Sequence, residues 1–157
     1  MRRILVIVLA FMLLASAGAV AKGSGFAIGA EGSLYFAGNG GLPTYYMLTM
    51  HFPRFPIYFG FGVTANLGIG LTVDYWFAHG PLGSIFDYYV GIGGYLAAEP
   101  SENAFAGGAR LPIGLQLWPF GSVFEIFLEF APALGVSFVP TGFDWHLQGA
   151  IGFRFWL

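Results

Sequence analysis

The sequence predicts an all-β fold in which eight antiparallel strands close into an up-and-down barrel. Three observations favour it: 25 glycines accompany 19% aromatic residues, only 9% of residues are charged, and eight segments alternate between apolar and polar positions. So much glycine weakens helices, whereas closely packed strands and tight turns accommodate it. Soluble domains carry roughly 25% charged residues, so this chain is too poor in charge to cover a water-exposed surface.

The chain begins with a predicted secretory signal peptide. A basic pair and an apolar run over 4–14 are followed by small residues that end at Ala21. The apolar run is shorter than the roughly 20 residues that a membrane-spanning helix needs, so cleavage after Ala21 is predicted rather than anchoring. The predicted organisation is therefore a signal peptide, 1–21, and one barrel domain, 22–157.

Charge and cysteine content exclude several classes of function. Removal of the signal peptide takes away Arg2 and Arg3 and leaves four basic against eight acidic residues, a formal net charge of −4. A negative chain without a basic patch is not expected to bind nucleic acid. The chain has no cysteine, so it has no disulfide and no thiolate metal site, while its compartment is left open.

Eight alternating segments follow, at 26–36, 45–52, 57–64, 69–77, 85–96, 109–118, 123–134 and 145–157. Successive side chains of a strand point to opposite faces, so each segment has one apolar and one polar face. The predicted lipid-facing set on the apolar side is Leu48, Phe59, Leu71, Ile92, Leu115, Ile126 and Ile151. The predicted lumenal polar network contains the charged residues of these segments, namely Glu31, Asp74, Asp87, Arg110, Glu125, Glu129 and Arg154. Apolar outside and polar inside is the pattern of a transmembrane β-barrel.

A soluble lipocalin-like periplasmic barrel that binds an apolar ligand is the structural alternative, because it also alternates over eight strands after a signal peptide. Its apolar face would point inward and its charged face would meet water. Seven strand charges are few for a whole water-exposed surface, which favours the membrane barrel. An even number of strands joined by tight turns closes into a barrel, and at eight strands its own side chains fill the interior.

The last segment ends the chain on Phe-Arg-Phe-Trp-Leu without a polar tail, an aggregation hazard in water that lipid removes. It resembles the C-terminal strand of bacterial outer-membrane β-barrels, whose assembly signal is a glycine, an aromatic residue three positions on and a terminal hydrophobic residue. Gly152, Phe155 and Leu157 fit that spacing. Two positions depart from it: Ala150 replaces the usual polar residue, and Leu157 replaces the commonest residue, phenylalanine.

The chain from about residue 25 onward resembles the small eight-stranded outer-membrane barrels of the OmpA/OmpX-like kind and an uncharacterised group of short outer-membrane proteins. That resemblance implies an integral protein of the bacterial outer membrane, with outer-membrane lipid and the assembly machinery as partners. It implies no enzymatic activity and no cofactor.

The lumenal carboxylates are interpreted as ion-pair partners of Arg110 and Arg154 rather than as catalytic acid and base. His51, His79 and His146 lie in no H-x-S or H-E-x-x-H motif, so neither a lipid deacylase nor a metallopeptidase is indicated. No catalytic, cofactor-binding or metal-ligating residue is predicted.

Two classes of function remain open. One is a structural or surface-interaction barrel that acts through short external loops around Gly38, Asn66, Glu99 and Pro140. The other is a narrow channel or transporter for small solutes, against which the small diameter of eight strands argues. The sequence names no extracellular ligand.

Four local predictions concern strand register and packing. A tight turn that pairs Trp118 with Val123 would place Pro112 opposite Glu129 and bring Arg110 to Glu129 along the diagonal. Pro112 itself suggests a β-bulge. The glycines of Gly91-Ile92-Gly93-Gly94 are expected to make room for aromatic neighbours, and a turn around Gly80-Pro81 would set Asp74 opposite Asp87.

Overall fold

A computed structural model describes residues 22–23, 25–39, 44–53, 55–139 and 141–157. The predicted signal peptide, Arg54 and Pro140 lie outside these residues. The described strands are β1 Ala27–Gly38, β2 Tyr45–Phe52, β3 Phe55–Val63, β4 Ile69–Pro81, β5 Phe86–Glu99, β6 Ala104–Arg110, β7 Ile113–Leu117, β8 Phe124–Val139 and β9 Thr141–Trp156. A short 3-10 helix, Pro100–Glu102, joins β5 to β6. In these parts of the chain, no helix has the length and hydropathy to span a bilayer.

Every strand pairs antiparallel with its neighbours, and the ring closes where β1 pairs with β9. The segments β6 and β7 are successive parts of one barrel strand, because both pair with β5 on one side and β8 on the other. The ring therefore has eight strand positions, and the predicted all-β up-and-down barrel is confirmed.

Pro112 interrupts a strand without inserting a residue. Arg110 lies opposite Gly93 and Ile113 lies opposite Val90, so the offset between the two strands is the same before and after the proline. The predicted bulge is wrong: proline lacks the N–H that the ladder requires, and the ladder is broken rather than shifted. The Pro112 carbonyl still accepts a hydrogen bond from the Gly91 N–H at 2.8 Å.

The two faces of the wall have the polarity that the sequence predicts. Charged side chains are buried inside, with Glu125 0%, Arg154 3% and Asp74 5% exposed. In the predicted lipid-facing set, Phe59 and Ile126 are half-buried and the others are exposed: Leu48, Leu71, Ile92, Leu115 and Ile151. The lipocalin-like alternative requires an apolar interior and is contradicted by this arrangement.

The barrel has two ends, which we call lower and upper. The lower end carries the start of β1, the end of β9 and the turns around 53–54, 82–85 and 118–123. The upper end carries the end of β1, the start of β2, the turns at 64–68 and 100–103, the end of β8 and the start of β9.

The turn between β4 and β5 lies further along the chain than predicted. Pro81 lies opposite Asp87, whereas Asp74 lies opposite Gly93. The two carboxylates are therefore at different heights in the barrel, and the predicted like-charge pair does not form. The strands continue past Gly80, because Gly80 and Pro81 belong to β4 and the chain turns only at 82–85.

We predict that Leu115→Arg hinders membrane insertion by about 2–4 kcal/mol, because residue 115 faces outward, 49% exposed, and an arginine there would meet lipid. The matched control is Gln116→Arg, one residue along the same strand. Gln116 faces inward, opposite Asp87, and bonds to Glu125, so an arginine there would find carboxylates. Refolding yield into lipid vesicles measures both, and equal losses would contradict the assignment of the two faces.

Candidate functional site

The first part of the lumenal network is centred on Arg110, which is 4% exposed at the end of β6. Its guanidinium forms an ion pair with Glu129, lies 3.1 Å through Nε from Asp74 Oδ1, and donates from Nη1 to Gln148 Oε1 at 2.9 Å. The Tyr89 hydroxyl donates to the second oxygen of Glu129 at 2.7 Å. The predicted pair of Arg110 and Glu129 is confirmed, and it is part of a larger cluster.

The register predicted for that pair is wrong by two residues. Gly114, not Pro112, lies opposite Glu129, and Arg110 lies opposite Ala133. The turn after β7 is longer than assumed, because pairing ends with Leu117 opposite Ile126, and the Trp118 N–H donates to the Ile85 carbonyl instead. The arginine side chain is long enough to bridge the greater separation along the strands.

The second part is centred on the fully buried carboxylate of Glu125. Its Oε1 accepts hydrogen bonds from Arg154 Nη1 at 2.8 Å and from Gln116 Nε2 at 2.9 Å, and its Oε2 accepts one from the Trp156 indole at 2.7 Å. Arg154 also donates from Nε to Thr49 at 3.2 Å. Charge-assisted bonds of this kind compensate the burial of both charges.

The two clusters meet at a small central cavity. Glu31, Asp74, Arg110, Glu129 and Arg154 all line it. Its volume is about 10 Å³, close to the minimum of about 10–15 Å³ that one water molecule requires. The middle of the lumen is therefore filled by side chains, and Glu31 belongs to its wall.

Glycines on intervening strands allow these side chains to meet. Gly93 lies directly between Asp74 and Arg110 in the ladder, and a Cβ there would clash with the Asp74 carboxylate. Gly114 lies in the same way between Tyr89 and Glu129, and a Cβ there would clash with the tyrosine ring. The expectation that the glycines of 91–94 make room for aromatic neighbours is confirmed at Gly91, where a Cβ would lie 2.9 Å from Cδ1 of the Trp76 ring; at Gly93 the neighbour is a carboxylate.

Asp87 does not join either cluster, although it was predicted in the same network. It lies at the lower end, and its Oδ1 is 3.5 Å from Lys22 Nζ. The Lys22 ammonium also donates a hydrogen bond to the Ser84 carbonyl at 3.0 Å.

Sequence reasoning missed a polar group near the upper end. Asp144 is 2% exposed, accepts a hydrogen bond from the Tyr95 hydroxyl at 2.7 Å and lies 3.5 Å from His146 Nδ1. The final strand was predicted to begin at Trp145, which left Asp144 in a loop. The alternation of Asp144, His146, Gln148, Ala150, Gly152 and Arg154 on one face was the available signal.

Glu99 was also assigned to an external loop, yet it is the last residue of β5 and only 2% exposed. Its carboxylate accepts hydrogen bonds from Thr64 at 3.1 Å and from Ser101 at 2.7 Å. It ties the turn after β3 to the turn after β5, so it is a structural group of the upper end rather than an exposed contact.

The residues of the predicted assembly signal lie where the barrel closes. Gly152 is opposite Glu31 on one side and Phe127 on the other. The Phe155 ring contacts the Phe124 ring at a tilt of 44°, with centroids 4.9 Å apart, and the Leu157 N–H donates to the Phe26 carbonyl at 2.8 Å. Recognition of these residues by an assembly machinery stays a prediction.

The chemistry of the lumen is charge compensation. In the described part of the chain, no group of three or more histidine and carboxylate side chains is placed to hold a metal ion. Arg110 and Arg154 are each bound to carboxylates, so those carboxylates serve as ion-pair partners. The clusters fill and rigidify the interior.

We predict that Gly93→Ala destabilises the barrel by about 1–3 kcal/mol, because the added methyl group overpacks the lumen and separates Asp74 from Arg110. Gly94→Ala is the matched control: a Cβ there comes no closer than 3.4 Å to another atom, the Gly108 carbonyl oxygen. Urea unfolding of the two variants in lipid measures the difference. Equal stability would show that Gly93 is not required for the ion pair.

We predict that Arg110→Met and Glu129→Gln each cost about 3–5 kcal/mol, because each leaves a buried charge with one ion-pair partner fewer. The double variant is expected to cost much less than the sum of the two, and a double-mutant cycle in refolded protein measures that coupling. A coupling energy near zero would mean that Asp74 alone compensates Arg110.

Comparisons with known proteins agree with the fold. No family model matches the sequence, and no curated protein matches it. The structure is similar to the crystal structure of the N-terminal β-barrel domain of Pseudomonas aeruginosa OprF, with a TM-score of 0.51, 18% identity and coverage of 84% of this chain and 98% of that one. At this identity the likeness concerns the fold alone, and the chain shares the antiparallel eight-stranded barrel of that domain.

Proposed function

We propose that the chain is a small integral protein of the bacterial outer membrane whose side-chain-filled barrel has a structural or surface-interaction role and no enzymatic activity. The observation that carries this proposal is the filled lumen: Arg110 bridges Asp74 and Glu129 across it, and the central cavity measures about 10 Å³. A barrel closed in this way acts through its surface rather than through a passage.

The exterior supports the membrane location. Large apolar side chains are exposed around the wall, among them Phe61, Leu128 and Ile151 with 48%, 58% and 61% exposure. Apolar patches of this extent are rare on soluble monomers, whereas lipid requires them. In the proposed orientation the lower end, which carries both termini, faces the periplasm, and the upper end faces outward.

Outer-membrane lipid and the assembly machinery are the proposed partners. The machinery would recognise the terminal pattern of Gly152, Phe155 and Leu157. Any extracellular partner would contact the upper connections around Gly38 and Asn66. These connections are short, so a contact there is small in area.

A narrow channel for small solutes is the second candidate. It is favoured by a second cavity at the lower end, which shares Tyr58 and Trp76 with the central cavity. The two cavities thus lie in succession along the lumen, and rearrangement of the ion pairs could connect them.

We predict that the refolded protein in a planar bilayer shows little or no conductance, because the ion pairs of Arg110 and Arg154 fill the lumen. The variant that combines Arg110→Met with Glu129→Gln is expected to conduct more, because it removes the central pair. Steady conductance by the unmodified protein would favour the channel.

Membrane location is tested separately. The expressed protein is expected to fractionate with outer membranes and to migrate differently on a gel before and after boiling, as a closed barrel does when it unfolds. Recovery in the soluble periplasmic fraction would contradict the proposed location.

A further inference from the structure

At the lower end, the ammonium of Lys22 is close to three groups that are all far from Lys22 in the sequence. Nζ donates to the Ser84 carbonyl at 3.0 Å, lies 3.5 Å from the Asp87 carboxylate and lies 5.8 Å from the centroid of the Trp118 ring. A carbonyl oxygen, a carboxylate and an aromatic face are the groups that recognise an alkylammonium. Closure of the barrel brings these three groups together.

A cavity of about 90 Å³ lies behind this ammonium, much larger than the central one. Lys22 and Gly23 form part of its wall, together with the rings of Tyr58, Trp76 and Trp118. The lower end therefore combines a cation-binding rim with an aromatic chamber, and the chamber has room for more than a single water molecule.

The mostly buried carboxylate of Asp87 favours a cation at this position. Its side chain is 14% exposed, and Oδ1 has no hydrogen bond to another described residue. Arg110 and Arg154 are bound to other carboxylates, so neither compensates it. A carboxylate in such surroundings is costly unless a cation accompanies it.

The ion pair between Lys22 and Asp87 is weak. The distance of 3.5 Å between Lys22 Nζ and Asp87 Oδ1 exceeds that of a normal charged hydrogen bond, and the lysine side chain is 32% exposed. A flexible lysine held by a partly exposed pair contributes little stability, so another ammonium can displace it.

We propose that the lower mouth of the barrel is a binding site for a primary alkylammonium group and that Lys22 occupies it as an intramolecular competitor. A ligand's ammonium takes the place of Nζ between Ser84, Asp87 and Trp118, and its alkyl part enters the aromatic chamber. The site is independent of the proposed role of the barrel, because it requires only the geometry of the lower end.

The test removes the competing side chain with Lys22→Met, in protein whose N-terminal amine is acetylated so that the α-amino group does not compete, and titrates the refolded protein with butylammonium chloride. The readout is the indole N–H resonance of Trp118, one of four tryptophans in the chain. Trp145, which lies in β9 towards the upper end of the barrel, is the internal reference. If Lys22 fills the site about 90% of the time, the variant is expected to bind about tenfold more tightly than the unmodified protein.

Three controls make the result specific. Asp87→Asn, alone or with Lys22→Met, is expected to abolish the shift, whereas Ser84→Ala is expected to preserve it because Ser84 acts through its backbone carbonyl. Tetramethylammonium, which has no N–H donor, is expected to bind more weakly. Titration with N-acetyl-lysinamide distinguishes a peptide lysine from a free amine as the source of the ammonium.

Two outcomes would overturn the proposal. One is a Lys22→Met variant that folds, as its gel migration shows, yet gives no saturable shift of Trp118. The other is an unchanged shift after Asp87→Asn, which would mean that the amine binds without the carboxylate.

Discussion

Charge compensation in the middle of the lumen, where there is almost no room for water, is the constraint on which the rest of the structure depends. Arg110 and Arg154 are each at least 96% buried, so a solvent shell cannot stabilise them. Their partners must come from the barrel wall, and Asp74, Glu125 and Glu129 supply them. Because an unpaired charge in such an interior costs several kcal/mol, these contacts constrain which strands are neighbours and at what height they meet.

Glycines on the intervening strands leave the space that those contacts need. Neighbouring side chains on one face of a sheet normally touch only across adjacent strands. Gly93 and Gly114 remove the intervening side chain, so that Asp74 reaches Arg110 and Tyr89 reaches Glu129 across a whole strand. The high glycine content therefore has a specific use in this lumen, in addition to its use in turns.

The two ends of the barrel are closed in different ways. At the upper end, Glu99 accepts hydrogen bonds from Thr64 and Ser101, and Asp144 accepts one from Tyr95. At the lower end, the described ion-pair partner of Asp87 is the loosely held Lys22, and a chamber lies beside it. The upper end is therefore structural, whereas the lower end can exchange the Lys22 ammonium for another cation.

The sequence by itself determined the class of fold, the number of strand positions and the face on which each of the seven charges in the predicted strands lies. Strict period-two alternation decides those features, because a residue one position along a strand must point to the opposite side. It also predicted the pair of Arg110 and Glu129, although from a register two residues away from the observed one. The arginine side chain is long enough to reach Glu129 from either register, so the predicted pair was correct despite the wrong register.

Only the tertiary structure decided register, and with it the partners. Alternation repeats every two residues, so it cannot distinguish registers that differ by two, and the lengths of the turns at 82–85 and 118–123 decide between them. The division of the charges into two clusters, the isolation of Asp87 and the contact with Lys22 all follow from that choice. They depend on which strands lie side by side once the ring has closed, and period-two alternation carries no information about distances across a lumen.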